Sequence, residues 1–348
     1  MGILNCANEL LVMVGENLSI EDLSKLRSTS RRLRLVLTPR YEKLCLKDIG
    51  KLTTLQWAAL RGHVELIELA ILNGADIEKP FGGFLDKTAP HVSDKPGSVC
   101  QFVNGPYLHL PQIKLRRTPL YLAACSGKRG AIKALLQAAA SMQFFDGMDT
   151  PAHISATKGD VRCMQEFIDA GFDIKTKGFR DRTILHQAMF GGINMVMYLL
   201  WHAGGETLVN ARDDQDQTPL HLVAGGFPVT YNRRGITELL LRNGANIHAL
   251  AGYENTPAHQ AALKGDVDAM RVLIAAGIDF HAQNIFSETI LHRAMGNRKG
   301  VLEYLLRQEG VKKIIHLKDN RGRTPLDLAK IMGQWKVVEQ LVELALNL

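Results

Sequence analysis

Aromatic side chains make up only 6% of the 348 residues, so large rings cannot be the main filling of a core and small aliphatic side chains must take that place. Cysteine is scarce too. Cys6, Cys45, Cys100, Cys125 and Cys163 are odd in number, widely spaced and contain no Cys-x-x-Cys pair. That pattern argues against a disulfide framework or a zinc site and for a reducing, intracellular compartment, cytoplasm or nucleus. No stretch approaches the roughly 20 consecutive apolar residues of a membrane span, and no basic-then-apolar leader opens the chain. The net charge of +7 is modest for this length. Basic residues are scattered, with little clustering beyond Arg31-Arg32-Arg34, so solvated charge accounts for them and no nucleic-acid partner is expected. Gly82-Gly83 lacks the Lys-Ser/Thr that would make it a phosphate loop.

What the chain does have is an internal repeat. Residues 150–173, TPAHISATKGDVRCMQEFIDAGFD, return at 256–279 as TPAHQAALKGDVDAMRVLIAAGID. Shared periodicity alone would not reproduce a string of turn residues. Openings of the same kind stand at Thr53, Thr118, Thr183, Thr218, Thr289 and Thr324. From Thr118 onward successive threonines lie about 32 to 38 residues apart, the spacing of a stacked repeat.

Each part of the unit has a physical reading. Thr caps a helix through its hydroxyl, and Pro follows at the first helical position, where its missing donor costs nothing. In the second copy Ala258, Ala261 and Ala262 keep the first helix thin, so a neighbour can pack close. Gly265 breaks that helix. Val267, Met270, Leu273 and Ile274 then fall on one face of a second helix, which Gly277 ends by taking a left-handed conformation cheaply. Polar, turn-rich residues before the next Thr suit a projecting hairpin. Two short helices cannot bury their apolar faces alone, so the copies must stack around one elongated core.

These residues resemble the ankyrin-repeat family, whose Thr-Pro-Leu-His-x-Ala signature is written at Thr218–Val223 with Val in the final place. The Gly62-His63-Val64-Glu65 and Asn73-Gly74-Ala75-Asp76 strings match the rest of the family pattern. The resemblance implies an all-α solenoid of about eight helix pairs with hairpin loops over residues 51–348, binding a protein client on a concave face. Residues 78–116 interrupt it. They hold Pro80, Pro90, Pro96, Pro106 and Pro111 with several glycines, which reads as an inserted loop.

Residues 1–50 differ in kind: three short amphipathic helices and a connecting helix are expected. Asn8-Glu9-Leu10-Leu11, Leu18-Ser19-Ile20-Glu21-Asp22-Leu23 and Thr29-Ser30-Arg31-Arg32-Leu33 resemble an F-box, although Cys6-Ala7 occupy the places where that family has Leu-Pro. The resemblance implies docking to a Skp-type adaptor through Leu10, Val14, Leu18, Leu23, Leu26 and Leu33, and so client recruitment to a cullin-type ubiquitin ligase. The alternative is a plain ankyrin scaffold whose N-terminal helices only cap the stack.

Catalytic chemistry finds no support. His153, His186, His221, His259 and His292 recur once per unit, which marks a structural position, expected to hydrogen-bond between loops and helix starts. No nucleophile, metal-ligand set or cofactor motif stands out, so no enzyme activity and no cofactor are expected. What remains is surface. Reading across units places Phe179, Arg180, Arg182 and Phe190 on the client-binding face. Tyr253, Asn255, Leu263 and Lys264 follow, then Phe286 and Glu288, then Arg321 and Arg323. Aromatic and Arg side chains are the anchors that interfaces favour. Phe179 and Phe286 read as sharing one repeat position, where packing against a neighbouring hairpin competes with client contact.

Overall fold

The computed structural model describes residues 53–80, 118–143, 149–202, 204–226, 232–296 and 300–346, with residue 22 besides. The F-box-like segment expected in 1–50, including Leu10, Val14, Leu18, Leu23, Leu26 and Leu33, lies outside the described residues. So does the loop expected at 78–116, apart from its first three residues.

The chain divides into two compact units, Met1–Phe145 and Asp146–Leu348. In the first, α1 (Thr54–Arg61) and α2 (Val64–Leu72) form a pair that packs on the pair α3 (Pro119–Cys125) and α4 (Arg129–Gln137). In the second, the pairs are α5 (Pro151–Lys158) with α6 (Val161–Asp169), α7 (Ile184–Gly191) with α8 (Ile193–His202), and α9 (Pro219–Ala224) with α10 (Arg233–Arg242). They continue with α11 (Pro257–Lys264) and α12 (Val267–Ala275), then α13 (Ile290–Ala294) and α14 (Val301–Leu306). After the short α15 (Glu309–Lys312), α16 (Pro325–Ile331) and α17 (Trp335–Leu346) close the second unit. Eight helix pairs are therefore present among the described residues, and every first helix begins directly after a threonine. Apart from short 3-10 turns, the remaining ordered backbone is loop, with one isolated bridge between Ala251 and Asn255.

Local chemistry explains these boundaries. Thr150 and Thr256 are extended, and their hydroxyls accept from the backbone N–H of His153 and His259. Proline occupies the first helical position of α3, α5, α9, α11 and α16. The small residues of the first helices, Ala58, Ala123, Ala156, Ala188, Ala261 and Ala294 among them, are buried. First helices therefore pack closely on first helices, α5 on α7 and α11 on α13. Leu135, Phe167, Leu240 and Leu273 from the second helices complete the core. Where α6 ends, Gly171 takes φ +86° and the Phe172 N–H reaches back to Phe167 O at 3.0 Å. After α4 the same place belongs to Ala139, which is held at φ 61°, a conformation that costs a Cβ-bearing residue about 1–2 kcal/mol.

Candidate functional site

The repeated histidines are the bolts of the second unit. His153, His186, His221, His259 and His292 occupy the third helical position after their capping threonines, and all are buried. Each ring Nε2 lies 3.0–3.1 Å from a carbonyl oxygen of the following hairpin: Arg182, Gln217, Asn255, Glu288 and Arg323 in turn. A carbonyl only accepts, so Nε2 carries the proton. Nδ1 must then be the acceptor, and the threonine hydroxyls stand 2.8–2.9 Å from it. The backbone N–H of Thr183, Thr218, Thr256 and Thr289 donates to the same nitrogen. One neutral tautomer thus ties a helix start to the next repeat's loop. Burial is the main cause that pushes His186, His221 and His259 down to about 4 and lowers His153 and His292 in the same direction.

The two ends of the series show the same logic with other side chains. Gln56 accepts from the Thr53 N–H through Oε1 and donates from Nε2 to Lys79 O at 2.8 Å. Asp327 accepts from the N–H and hydroxyl of Thr324 but has no donor to pass onward, and α16 is the final first helix. Replacing His259 by Ala should therefore cost about 1–3 kcal/mol, because the Glu288 carbonyl and the Thr256 hydroxyl lose a buried partner. A urea titration checks this, and a midpoint equal to wild type would refute the bolting role.

The hairpins that receive these bolts share a frame. In each, the N–H of a first residue (Gly178, Asp213, Ala251, Asn284, Asp319) donates to the carbonyl of the residue four later. That fifth residue is the histidine's acceptor. Where the first residue is Asp or Asn, its Oδ1 also accepts the N–H groups two and four residues on, as Asp213 does from Gln215 and Gln217. Gly178 and Ala251 lack such an oxygen, and their hairpins turn through two left-handed residues, Arg180 and Asp181 or Tyr253 and Glu254. Successive tips are joined by backbone bonds: Asp214 N–H to Arg180 O, Gly252 N–H to Gln215 O, Ile285 N–H to Tyr253 O and Asn320 N–H to Phe286 O.

This frame sorts the residues expected at the surface into tips and bases. Arg180, Tyr253, Phe286 and Arg321 all stand at the third position, the tip, together with Gln215. Arg182, Asn255, Glu288 and Arg323 stand at the fifth, the base. The exposure expected of Arg182 and Asn255 is corrected: both are buried. Arg182 pairs with Asp213 at 3.3 Å and lies over the Phe190 ring, 5.9 Å from its centroid. Asn255 donates to Gly252 O and accepts from Asn284. Glu288 and Arg323 are half-buried and bind Arg293 and Asp319. These polar side chains bond at the hairpin base, on the same residues whose carbonyls receive the histidines. Nor do Phe179 and Phe286 share a position. Phe179 is second in its hairpin, half-buried, with its N–H on Asp149, whereas Phe286 is a tip residue.

The tips carry an exposed apolar cluster. Tyr253 and Phe286 tilt against each other with ring centroids 5.7 Å apart, and they are 66% and 38% exposed. Leu250 and Ile285, in the same two loops, are 44% and 49% exposed. Sequence reasoning missed Leu250 and Ile285, since a lone apolar residue in a loop carries no signal until neighbouring loops are seen side by side. Phe190 and Leu263 at the ends of α7 and α11 are half-buried, and Lys264 is exposed. Among the described residues no group of three or more His, Cys, Asp or Glu could hold a metal ion, and no helix is long and apolar enough to cross a membrane.

The family model described as ankyrin repeats (3 copies) matches residues 152–251, 228–313 and 258–348, more than half of the chain. The chain belongs to the ankyrin-repeat family. That match does not reach residues 1–50. Among curated proteins, the ankyrin-repeat chain is 32% identical over 186 residues to a transient receptor potential cation channel subfamily A member 1 homolog of Caenorhabditis elegans, covering 52% of this chain and 14% of that protein. It is 27% identical over 191 residues to the B-cell lymphoma 3 protein homolog of Mus musculus, covering 53% and 41%. It therefore spans less than half the length of either. Among solved structures, the human ASB11 ankyrin repeat domain superposes with a TM-score of 0.54 at 19% identity, covering 73% of this chain and 97% of that one. The Bcl-3 ankyrin repeat domain gives 0.53 at 22%, covering 74% and 99%. The all-helical ankyrin-repeat fold is typical of non-catalytic scaffolds, and an ankyrin domain is in general a protein–protein interaction module.

Proposed function

We propose that this protein is a scaffold that holds a protein client along the hairpin tips of its second unit, with Arg180, Tyr253, Phe286 and Arg321 in the contact row. The adjoining concave side, where Phe190, Leu263 and Lys264 end their helices, extends that surface. One observation carries the reading: Tyr253 and Phe286 form an exposed aromatic pair on neighbouring tips. The frame beneath them is held by backbone hydrogen bonds within and between the hairpins, so the rings are not needed to hold it. Contiguous exposed apolar surface of this kind marks interaction sites, and aromatic and Arg side chains supply most hot spots. The bases of the hairpins, Arg182, Asn255, Glu288 and Arg323, set the shape of the row from below.

Affinity purification with the full chain and with the Tyr253→Ala/Phe286→Ala variant tests this. Proteins held by wild type should fall at least about tenfold with the variant, the loss of one or two hot-spot contacts. Its melting temperature should stay within a few degrees, since surface changes rarely exceed about 0.5 kcal/mol. Undiminished capture would move the client site elsewhere.

A second reading makes the scaffold a ubiquitin-ligase adaptor. It is supported by the F-box-like strings around Leu10, Leu23 and Leu33. The similar proteins also include E3 ubiquitin-protein ligase KEG of Arabidopsis thaliana, 21% identical over 254 residues and covered over 16% of its length. The same purification decides it. A Skp-type adaptor that co-purifies with the full chain and is lost on deletion of residues 1–38 favours the adaptor. Its absence from both leaves the plain scaffold.

A further inference from the structure

We propose that the client crosses the hairpin row as an extended segment, with an apolar side chain on the Tyr253–Phe286 pair and a carboxylate about three residues away on Arg321. This rests on the client-binding reading above and adds the partner's chemistry to it. The charges along the row are unevenly spent. On one side of the aromatic pair, Arg180 is already paired with Asp214 at 3.3 Å, and Arg212 stands 3.7 Å from Asp216. The cations there have their carboxylates, and Glu254 is exposed next to Tyr253. On the other side, Arg323 takes Asp319, and no acid among the described residues pairs with the exposed guanidinium of Arg321. Lys318, also exposed, adds to the positive charge there. The sign of the unspent charge therefore reverses across the aromatic pair.

Such a gradient selects and orients a partner, because complementary charges fix register and like charges in contact repel. An acid placed at Glu254 would be repelled; at Arg321 it gains an unshared partner. Neighbouring helices pack roughly 8–10 Å apart, so neighbouring tips are about three residues of extended chain apart at about 3.3 Å each. The recognised pattern is then apolar-x-x-Asp/Glu, read from Phe286 toward Arg321. Polyphosphate backbones are disfavoured, since Glu254, unpaired among the described residues, is exposed on the same row and the cations of Arg180 and Arg212 are already paired.

Phage-displayed random 12-residue peptides, panned on the folded full chain and on its variants, test the pattern. Wild type should enrich an apolar residue followed three places later by Asp or Glu. Arg321→Glu should enrich Lys or Arg at that place instead and bind wild-type-selected peptides about tenfold more weakly by fluorescence anisotropy, as a charge reversal at a rim contact implies. A switched preference cannot arise from misfolding. If selected peptides show no acid preference, or bind Arg321→Glu equally well, the proposed chemistry is overturned. The client site itself then still stands, provided Tyr253→Ala/Phe286→Ala abolishes their binding. Peptides indifferent to the double variant, or no enrichment at all, overturn both.

Discussion

Lowering the pH from 7 to 5 should destabilise the second unit by roughly 6 kcal/mol, about 2 kcal/mol from each of His186, His221 and His259. All three are held near 4, against an ordinary value of 6.5, chiefly by burial. The sign follows from proton counting. Between about 6.5 and 4 the unfolded chain binds protons that the folded chain refuses, so stability is full above 6.5 and falls as the pH drops toward 4. A proton on Nδ1 would also face the threonine hydroxyl and N–H that now donate to it. Asp327, which Thr324 holds below the usual carboxylate range, loses its contribution only in a lower window, below about 4. Thermal melts at pH 7, 6 and 5 measure the effect. The protein carries its own control design, because Gln56 makes both bonds without titrating. A His259→Gln variant should keep most of its stability at pH 7 and lose its own share of the pH dependence, about 2 kcal/mol. Identical melting at pH 7 and pH 5 in wild type would show that the histidines are not buried neutral bolts.

The second large effect is expected at Gly191. It is the last residue of α7, and a Cβ there would run into the carbonyl oxygen of Ala156 and the backbone of Gly159. Gly159, at φ +73°, would in turn meet the Gly191 carbonyl. Two neighbouring repeats touch here backbone to backbone, so no side-chain rotamer can relieve the clash. Gly191→Ala should cost about 3 kcal/mol or more, the upper range for overpacking, and uncouple α5 from α7. Repeat stacks are held by such nearest-neighbour interfaces, so the denaturation curve should also broaden or split. Gly296→Ala, with open space around it and no positive φ, is the matched control and should be close to neutral. Equal urea midpoints for the two variants would contradict the close contact.

Much of this architecture was legible from the residues because its signals are local. A threonine before proline specifies a helix start whatever lies around it. A histidine that recurs at the same place after that threonine announces a structural duty. The period of 32 to 38 residues implies stacking, since no single pair of short helices can bury its own apolar face. Even Ala139, standing in the place that Gly171 fills after α6, keeps the left-handed turn, because the rest of the unit over-determines it.

What only the tertiary structure decided is which loop residues face outward. In a five-residue hairpin a shift of one position exchanges a half-buried side chain for an exposed tip, as between Phe179 and Phe286, and the residue type alone does not mark the difference. Arg182 and Asn255 look like surface residues by type, yet at the base of the hairpin they are buried, their side chains bonded to Asp213 and to Asn284 from parts of the chain that only the fold brings together. The Tyr253–Phe286 pair likewise exists only once two hairpins lie side by side. Caps and breaks depend on a few consecutive residues and so can be read in order. The row of hairpin tips depends on the register between repeats, which hydrogen bonds between one tip and the next establish and sequence spacing alone does not.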